Sequence, residues 1–403
     1  MTLSNFPLLS FFTGGGLLDI GFIDTGFSII WHNESDGVIA DGYEYAIEGR
    51  YGPNRKTVLR IQNREPIERT SARRIERQAF SRDCKPETFG IIGGPPCPDF
   101  SSAGLHKGKH GSNGILSGTY VSRILALKPT FFVLENVPGL LRTAKHRVYL
   151  SELLQRLEGY YSLDVSVLNA LNFGVPQDRN RVFVVGFRRD WLDKERGLSV
   201  PTRGQHWGTA LDGLKLRMFR DPRGSEDAEA GIHWFHWPYN SHYFAAKWRY
   251  PWPQTSPFGC QPEKPDGIPG ELMIETHIGA QAHLHTLPNG QDSFQPHSSK
   301  FDTVAEGDVK GKSFKRLHRW RYSPTAAYGN REVHLHPYER RRLTVREAMR
   351  IQSVPDDYAL PDNISLGTKF KMISNGVPVK LAAVLAKQIA SFLVDDQPAS
   401  SPP

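Results

Sequence analysis

Four short apolar runs, each closing on small or polar residues, constrain this chain most. Leu8–Phe12, Phe27–Trp31, Phe89–Ile92 and Thr130–Leu134 have the length and composition of buried strands. Leu17–Phe22, Tyr120–Leu127 and Val148–Leu157 have helical spacing between or after them. Strands alternating with helices predict an α/β fold with a parallel sheet, and such sheets place ligands at the carboxyl ends of their strands. Those ends carry Thr13-Gly14-Gly15-Gly16, His32-Asn33-Glu34, Gly93-Gly94-Pro95-Pro96-Cys97 and Glu135-Asn136.

Each strand end has a chemical reading. A glycine turn between a strand and a helix lets bare backbone approach a nucleotide-type ligand. It is not the dinucleotide fingerprint, because Asp19 occupies the third glycine position. Glu34, about twenty residues past the turn, is placed to bond ribose hydroxyls. Ile61-Gln62-Asn63 can end a further strand, with Asn63 touching an adenine. Two glycines and two prolines hold Cys97 rigidly at a strand end. That suits a nucleophile, and it equally suits a small buried residue beside a turn. Ala103–Gly118, rich in Gly, Ser, Lys and His, reads as a mobile loop able to close over a substrate. In Gln177-Asp178-Arg179-Asn180-Arg181, alternation puts Gln177, Arg179 and Arg181 on one face, suited to gripping a base, a carboxylate or a phosphate.

Charge narrows the partners. Between Lys312 and Arg350 eleven Lys and Arg face three Glu, an excess of +8 that equals the net charge of the whole 403-residue chain. With Trp320, Tyr322 and Tyr328 interleaved, this stripe suits a phosphate backbone, and Arg319, Arg321, Arg341 and Arg342 are its candidate contacts. The three cysteines, Cys84, Cys97 and Cys260, have no paired spacing, so neither zinc nor a disulfide framework is expected. No apolar run approaches a membrane span, and Met1–Phe12 lacks a signal-peptide pattern. A cytoplasmic protein is expected, with no membrane contact.

Past Trp191 the composition turns rich in Gly, Pro, His, Trp and Tyr, which predicts a domain boundary near 190. Trp234, Trp237, Trp248 and Trp252 read as a mixed core. Leu343–Val354 is a helix, opened by the Thr344/Glu347 capping box and closed by Pro355. Val379–Val394 is an amphipathic closing helix.

In this order the motifs resemble the DNA cytosine-5 methyltransferases of bacterial restriction–modification systems. The set is Phe12-Thr13-Gly14-Gly15-Gly16, Glu34, Gly94-Pro95-Pro96-Cys97, Glu135-Asn136-Val137, Gln177-x-Arg179-x-Arg181, the Arg342–Asp356 helix and Asn375-Gly376-Val377-Pro378. The resemblance implies a Rossmann-like, doubly wound, mostly parallel sheet binding S-adenosylmethionine, with a smaller, irregular target-recognition domain. It implies a discontinuous catalytic domain (1–190 plus 365–403), a recognition domain (191–340) and a connecting helix or hinge (341–364). Phe12 would stack on the adenine, Gly14–Gly16 and Pro95 would border the cofactor, and the Asn375 turn would close its pocket. Cys97 would add to cytosine C6, Glu135 would bond N3 and the exocyclic amine, Arg181 would stabilise O2, and Arg179 would hold Glu135 or the loop. Gln177 is grouped with the DNA contacts. Implied partners are duplex DNA, with the target base flipped out, and a restriction endonuclease paired in function; a monomer is expected. The alternative is a same-fold enzyme methylating cytosine in transfer RNA. Two departures stand out: Pro98 follows the cysteine where the family often has Gln, and Ser35 follows Glu34 where an aromatic often stacks. Thr286-Leu287 and Thr303-Val304 both fit the recognition domain's Thr-aliphatic pair.

Overall fold

The computed structural model describes residues 6–52, 58–80, 85–96, 112–218, 220–223, 233–279, 283–295, 297–325, 328 and 333–394. Cys97, Pro98 and residues 103–111 of the expected loop lie outside the described residues.

The first half alternates as its apolar spacing dictates. β1 (Phe6–Phe11), α1 (Leu17–Ile23), β2 (Phe27–Asn33), α2 (Gly37–Tyr51), β3 (Val58–Asn63), α3 (Ala72–Ala79), β4 (Gly90–Gly93), α4 (Ser112–Leu127) and β5 (Phe131–Asn136) follow one another. Then come α5 (Gly139–Arg142), α6 (Ala144–Glu158), β6 (Tyr161–Asn169), β7 (Gln177–Asp178) and β8 (Asn180–Arg188). Seven strands form one sheet in the order β3-β2-β1-β4-β5-β8-β6. β8 alone runs antiparallel to its neighbours. The order reverses between β1 and β4, so successive connections leave on opposite sides and open a crevice at the carboxyl ends of those strands.

Helices cover both faces, which is why the strands are apolar throughout rather than alternating. Leu8 and Ile29 face one core, shared with α1 and the helix Val379–Val394. Leu9, Phe11 and Ile91 face the other, shared with α4 and α6. The helix Val379–Val394 lies so close on α1 that a Cβ on Gly21 would sit 2.5 Å from the Ala382 Cβ. The apolar run Leu366–Val394 is long enough to cross a membrane by composition, yet it folds as two helices packed in this core.

Three boundaries differ from expectation. The body of the sheet continues past residue 190, because Trp207, Leu211 and Leu214 of the helix Trp207–Met218 join the core of α4, α6 and β5. The helix Val345–Ile351, with its capping box intact, sends Val345, Ala348 and Met349 into the core of α1, so it is built into the body rather than standing as a hinge. α4 starts at Ser112, so the last part of the expected loop is helical; Tyr120, Val121 and Ile124 bury that helix against the sheet. Residues 233–340 contribute short two-residue ladders, β9 (Lys315–Arg316) with β11 (His334–Leu335), and β10 (Ser323–Pro324) with β7.

Candidate active site

At the reversal of strand order lies a pocket of about 580 Å³. Its lining comes from the carboxyl ends of β1, β2, β4 and β5, from the start of β8, and from the turn Asn375–Val377. β1 ends at Phe11, and Phe12, a non-glycine residue at φ +56°, turns the backbone sharply into the glycine segment. The Thr13 N–H then bonds to Asn33 O, 3.1 Å, tying the turn to β2. Gly14 donates its N–H to Glu34 Oε2, 3.0 Å, and the Asp36 N–H donates to Glu34 Oε1, 2.9 Å. Glu34 is thereby held rigidly at the pocket wall.

Two residues not named as site residues from the sequence hold this wall in place, Asp19 within the lining and Tyr358 behind it. Asp19, buried in the first turn of α1, accepts from Ser10 Oγ at 2.7 Å and Tyr43 Oη at 2.6 Å. Burial pushes its carboxyl up to about 6, against the pull of those two donors. Tyr358 donates its hydroxyl to Gly15 O, 2.6 Å, fixing the glycine turn from the far end of the chain. The sequence signal for Asp19 was a lone acid inside an apolar helix; Tyr358 offered none.

The reactive end of the pocket lies between β4, β5 and β8. Glu135 Oε1 pairs with Arg181 Nε at 2.8 Å. Both side chains are nearly buried. Burial raises the Glu135 carboxyl, while Arg181 and then Arg179 pull it back. Gly94 passes so near this carboxylate that a Cβ there would meet Glu135 Oε2 at 2.6 Å. Asn136 Nδ2 reaches back to Pro95 O at 3.4 Å, pinning the Gly94-Pro95-Pro96 segment to the end of β5. Cys97 follows this segment directly and lies outside the described residues.

The other expected site residues divide. Phe12, Gly14, Glu34, Pro95, Glu135, Arg181 and Asn375 line the one pocket. Gly16, at φ +71°, is the N-cap of α1 and lies behind the lining, against the Tyr43 ring. Asn63 is not in the lining: it is buried, and its amide faces Thr70 Oγ1 at 3.2 Å and Gln78 Oε1 at 3.4 Å. Pro66, Ile67 and Glu68, just beyond it, line the pocket instead. Arg179 is fully buried and donates to Ser374 O (2.6 Å) and Gly376 O (2.8 Å), so it grips the Asn375 turn rather than Glu135. Gln177 is fully buried on β7 beside Tyr328 and presents no surface to DNA.

The basic stripe is largely spent inside the fold. Arg316, fully buried, donates to the carbonyls of Phe301, Val304, His336 and Glu339. Arg346 does the same to Pro288, Pro355 and Tyr358. Arg319 pairs with Glu306 at 2.8 Å, Arg350 with Asp356 at 2.6 Å, and Arg341 with Glu347 at 2.7 Å. Arg342 lies 4.3 Å over the Phe294 ring. Asp302, Glu306 and Asp356 neutralise the stripe from outside its own stretch of sequence. Arg321 has no carboxylate partner among the described residues; its guanidinium lies 5.1 Å over the buried Tyr322 ring.

The residues present fit S-adenosylmethionine. Thr13 Oγ1 is buried at the pocket with no hydrogen-bond partner among the described residues. Around it stand the backbone of Gly14 and Gly15, a fixed carboxylate at Glu34 and apolar walls at Ile39 and Ile67. That donor set suits an amino-acid group, a ribose and an adenine in one crevice. No group of three metal-ligating side chains occurs among the described residues.

Comparison with known proteins agrees. The profile of the C-5 cytosine-specific DNA methylase family matches residues 6–211 and 264–391. The type II methyltransferase M.NmeDI of Neisseria meningitidis serogroup C is 38% identical over 390 residues, 96% of this chain and 84% of that protein. M.MthTI of Methanothermobacter thermautotrophicus is 29% identical, covering 96% of this chain and 98% of that one. Among solved structures, the S. pombe Dnmt2 methyltransferase superposes with a TM-score of 0.56 over 97% of this chain and all of its own, at 13% identity, a likeness of fold. Sheet order, pocket and profile converge: the chain belongs to the C-5 cytosine-specific DNA methylase family.

Proposed function

We propose that this DNA cytosine-5 methyltransferase uses Cys97 as its nucleophile on a cytosine flipped out of a specific duplex sequence, with S-adenosylmethionine as methyl donor. It acts as a cytoplasmic monomer that protects DNA from a paired restriction endonuclease. The observation that carries the catalytic assignment is the Glu135–Arg181 pair, 2.8 Å apart, beside the segment that leads into Cys97.

Cytosine C5 is too weak a nucleophile to be methylated unaided. The Cys97 thiolate forms a bond to C6, and the electron pair of the C5–C6 double bond moves towards C5, N3 and O2. Glu135, whose burial favours the protonated carboxyl, donates to N3 and accepts from the exocyclic amine; thymine offers no such amine. Arg181, held by Glu135, meets the charge growing on O2. S-adenosylmethionine supplies an electrophilic methyl group on a sulfonium centre. Loss of the C5 proton to water then returns the electron pair and releases the thiolate. C6 is unreachable in a stacked duplex, so the base must leave the helix, at a few kcal/mol.

The test is transfer of tritium from labelled S-adenosylmethionine to plasmid DNA by the wild type and by Cys97→Ser. The wild type labels DNA and is trapped covalently on a 5-fluorocytosine duplex; the variant does neither while still binding DNA. Label on transfer RNA but not on DNA would overturn the reading. Bisulfite sequencing of DNA from an expressing host then gives the recognition sequence.

A further inference from the structure

The pocket at the sheet reversal carries a charge opposite to that of the chain. Five acids and two bases line it, in a protein whose net charge is +8. Lys371 stands 3.6 Å from Asp36, and Arg181 stands 2.8 Å from Glu135. Asp19, Glu34 and Glu68 are left as the excess. Glu34 accepts from two backbone N–H groups, and Glu68 is exposed. Asp19 is 1% exposed.

A carboxylate buried this far is costly unless a cation stands beside it. Among the described residues, Asp19 has neutral partners only. Ser10 of β1 donates to one of its oxygens and Tyr43 of α2 to the other. Tyr358, fully buried and bonded to Gly15 O, lies close enough to feel its charge. His32 stands opposite Ser10 in the β1–β2 register and 4.8 Å from the Tyr43 ring, and burial keeps it neutral. The first turn of the seven-residue α1 offsets part of the cost through its dipole. Burial still holds the Asp19 carboxyl up at about 6.

The same contacts tie this carboxylate to the glycine turn. Gly16 is the N-cap of α1, and a Cβ there would come within 2.6 Å of the Tyr43 ring. Gly376, beside Asn375, closes on Leu17 at the start of α1, where a Cβ would meet its side chain at 2.7 Å. With Glu34 on the ribose, this end of the pocket receives the amino-acid group of the cofactor. S-adenosylmethionine brings two cationic centres to that end, a sulfonium and an α-ammonium, against one carboxylate.

We propose that Asp19 is a cofactor-specificity residue, whose ionised carboxylate supplies the counter-charge for the cationic methionyl end of S-adenosylmethionine. The inference rests on S-adenosylmethionine being the methyl donor. In the empty pocket the buried charge is uncompensated; a bound cation compensates it, so the cofactor is favoured over neutral adenosine thioethers of similar shape.

The experiment measures the binding of three probes to full-length wild type, Asp19→Asn and Tyr43→Phe by equilibrium dialysis. S-adenosylmethionine has both cationic centres, S-adenosylhomocysteine has the ammonium alone, and methylthioadenosine has neither. Asp19→Asn keeps the shape of the side chain. It should weaken S-adenosylmethionine roughly tenfold and leave methylthioadenosine unchanged. If S-adenosylhomocysteine weakens as well, the carboxylate serves the ammonium; if it holds, the carboxylate serves the sulfonium. The wild type should lose S-adenosylmethionine affinity as pH falls through about 6, where the carboxyl takes up its proton, and Asp19→Asn should lack that limb. Tyr43→Phe removes a donor to the ionised carboxylate and should move the limb to higher pH; this arm stands even where Asp19→Asn fails to fold. Equal weakening of all three probes by Asp19→Asn, the mark of a purely structural acid, would overturn the proposal. So would unchanged S-adenosylmethionine binding, or a limb that Tyr43→Phe does not move. Failure of the cofactor reading itself would show separately, as a wild type that binds none of the three probes.

Discussion

Glu135 and Arg181 meet at 2.8 Å across two antiparallel strands, one at the carboxyl end of β5 and the other at the start of β8. The register puts Glu135 opposite Phe183 and Asn136 opposite Val182, so the two charged side chains reach each other from strands that enter the edge in opposite directions. A parallel strand in β8's place would bring its carboxyl end there instead.

Glu135→Gln keeps the shape of this pair and removes the shared proton. Methyl transfer should fall roughly 100-fold or more, the usual scale for a positioned acid. DNA binding, read by gel shift, should change little. Because burial raises the Glu135 carboxyl, the protonated form persists to higher pH than in a free glutamate; the wild-type step that needs it weakens as pH rises through that pKa. Single-turnover rates across pH should show this limb in the wild type and lose it in the variant.

Gly94→Ala adds one methyl group at the position where a Cβ would meet Glu135 Oε2 at 2.6 Å. The carboxylate must move, and the rate should fall by roughly 100-fold, since misplacement of about 1 Å has that scale. The thermal midpoint should shift by only a few degrees, because one carboxylate gives way rather than the core. A large loss of stability with the rate kept would contradict this.

How legible was this site in the sequence? Glu135 and Arg181 were readable, because an apolar run ending on a charged residue leaves few places for that residue except the sheet edge. Arg179 was expected to hold Glu135 or the loop, but its acceptors, Ser374 O and Gly376 O, are nearly 200 residues away. Asn63 was misplaced because strand ends fix a residue's position, whereas the hydrogen bonds to Thr70 and Gln78 fix where its amide points. The basic stripe misled because its neutralising partners, Asp302, Glu306 and Asp356, lie outside it in sequence and beside it in space. The alternation of strands and helices, by contrast, followed from the spacing of apolar runs and polar ends, whereas the order of the seven strands came only with the structure.

Arg179→Lys tests the long-range clamp. Both bonds come from one terminal nitrogen, Nη2, which the shorter lysine side chain does not reach, and burial already holds this guanidinium well below its usual range. Stability should drop by about 2–3 kcal/mol in urea unfolding. Affinity for S-adenosylmethionine should fall too, because the released turn contains Asn375 and Val377 of the pocket wall.

His334 sets an acid limit. It is fully buried, neither ring nitrogen has a partner among the described residues, and burial lowers it from 6.5 to about 3. The unfolded chain binds a proton below about pH 6.5 and the folded one does not, so stability is lost as pH falls through that window. His32, likewise lowered to about 3, adds to the loss. Asp19, raised to about 6, opposes it below that pH, because its folded form keeps the proton. His334→Phe should reduce the acid loss by about 1.4 kcal/mol per pH unit between pH 6 and 4. Urea unfolding at three pH values reads the difference.

Arg341→Ala separates structural from phosphate-binding arginines. Arg341 donates through both terminal nitrogens to Glu347, at 2.8 and 2.7 Å, and Glu347 also caps its helix through the Thr344 N–H. Glu347 is 2% exposed, so removing Arg341 strands a buried carboxylate inside the fold. Breaking such a pair destabilises by roughly 3 kcal/mol. The salt dependence of DNA binding should keep its slope, because the guanidinium was never offered to a phosphate. If the slope instead fell by about 1, the magnitude for one lost phosphate contact, Arg341 would have to leave Glu347 on binding DNA.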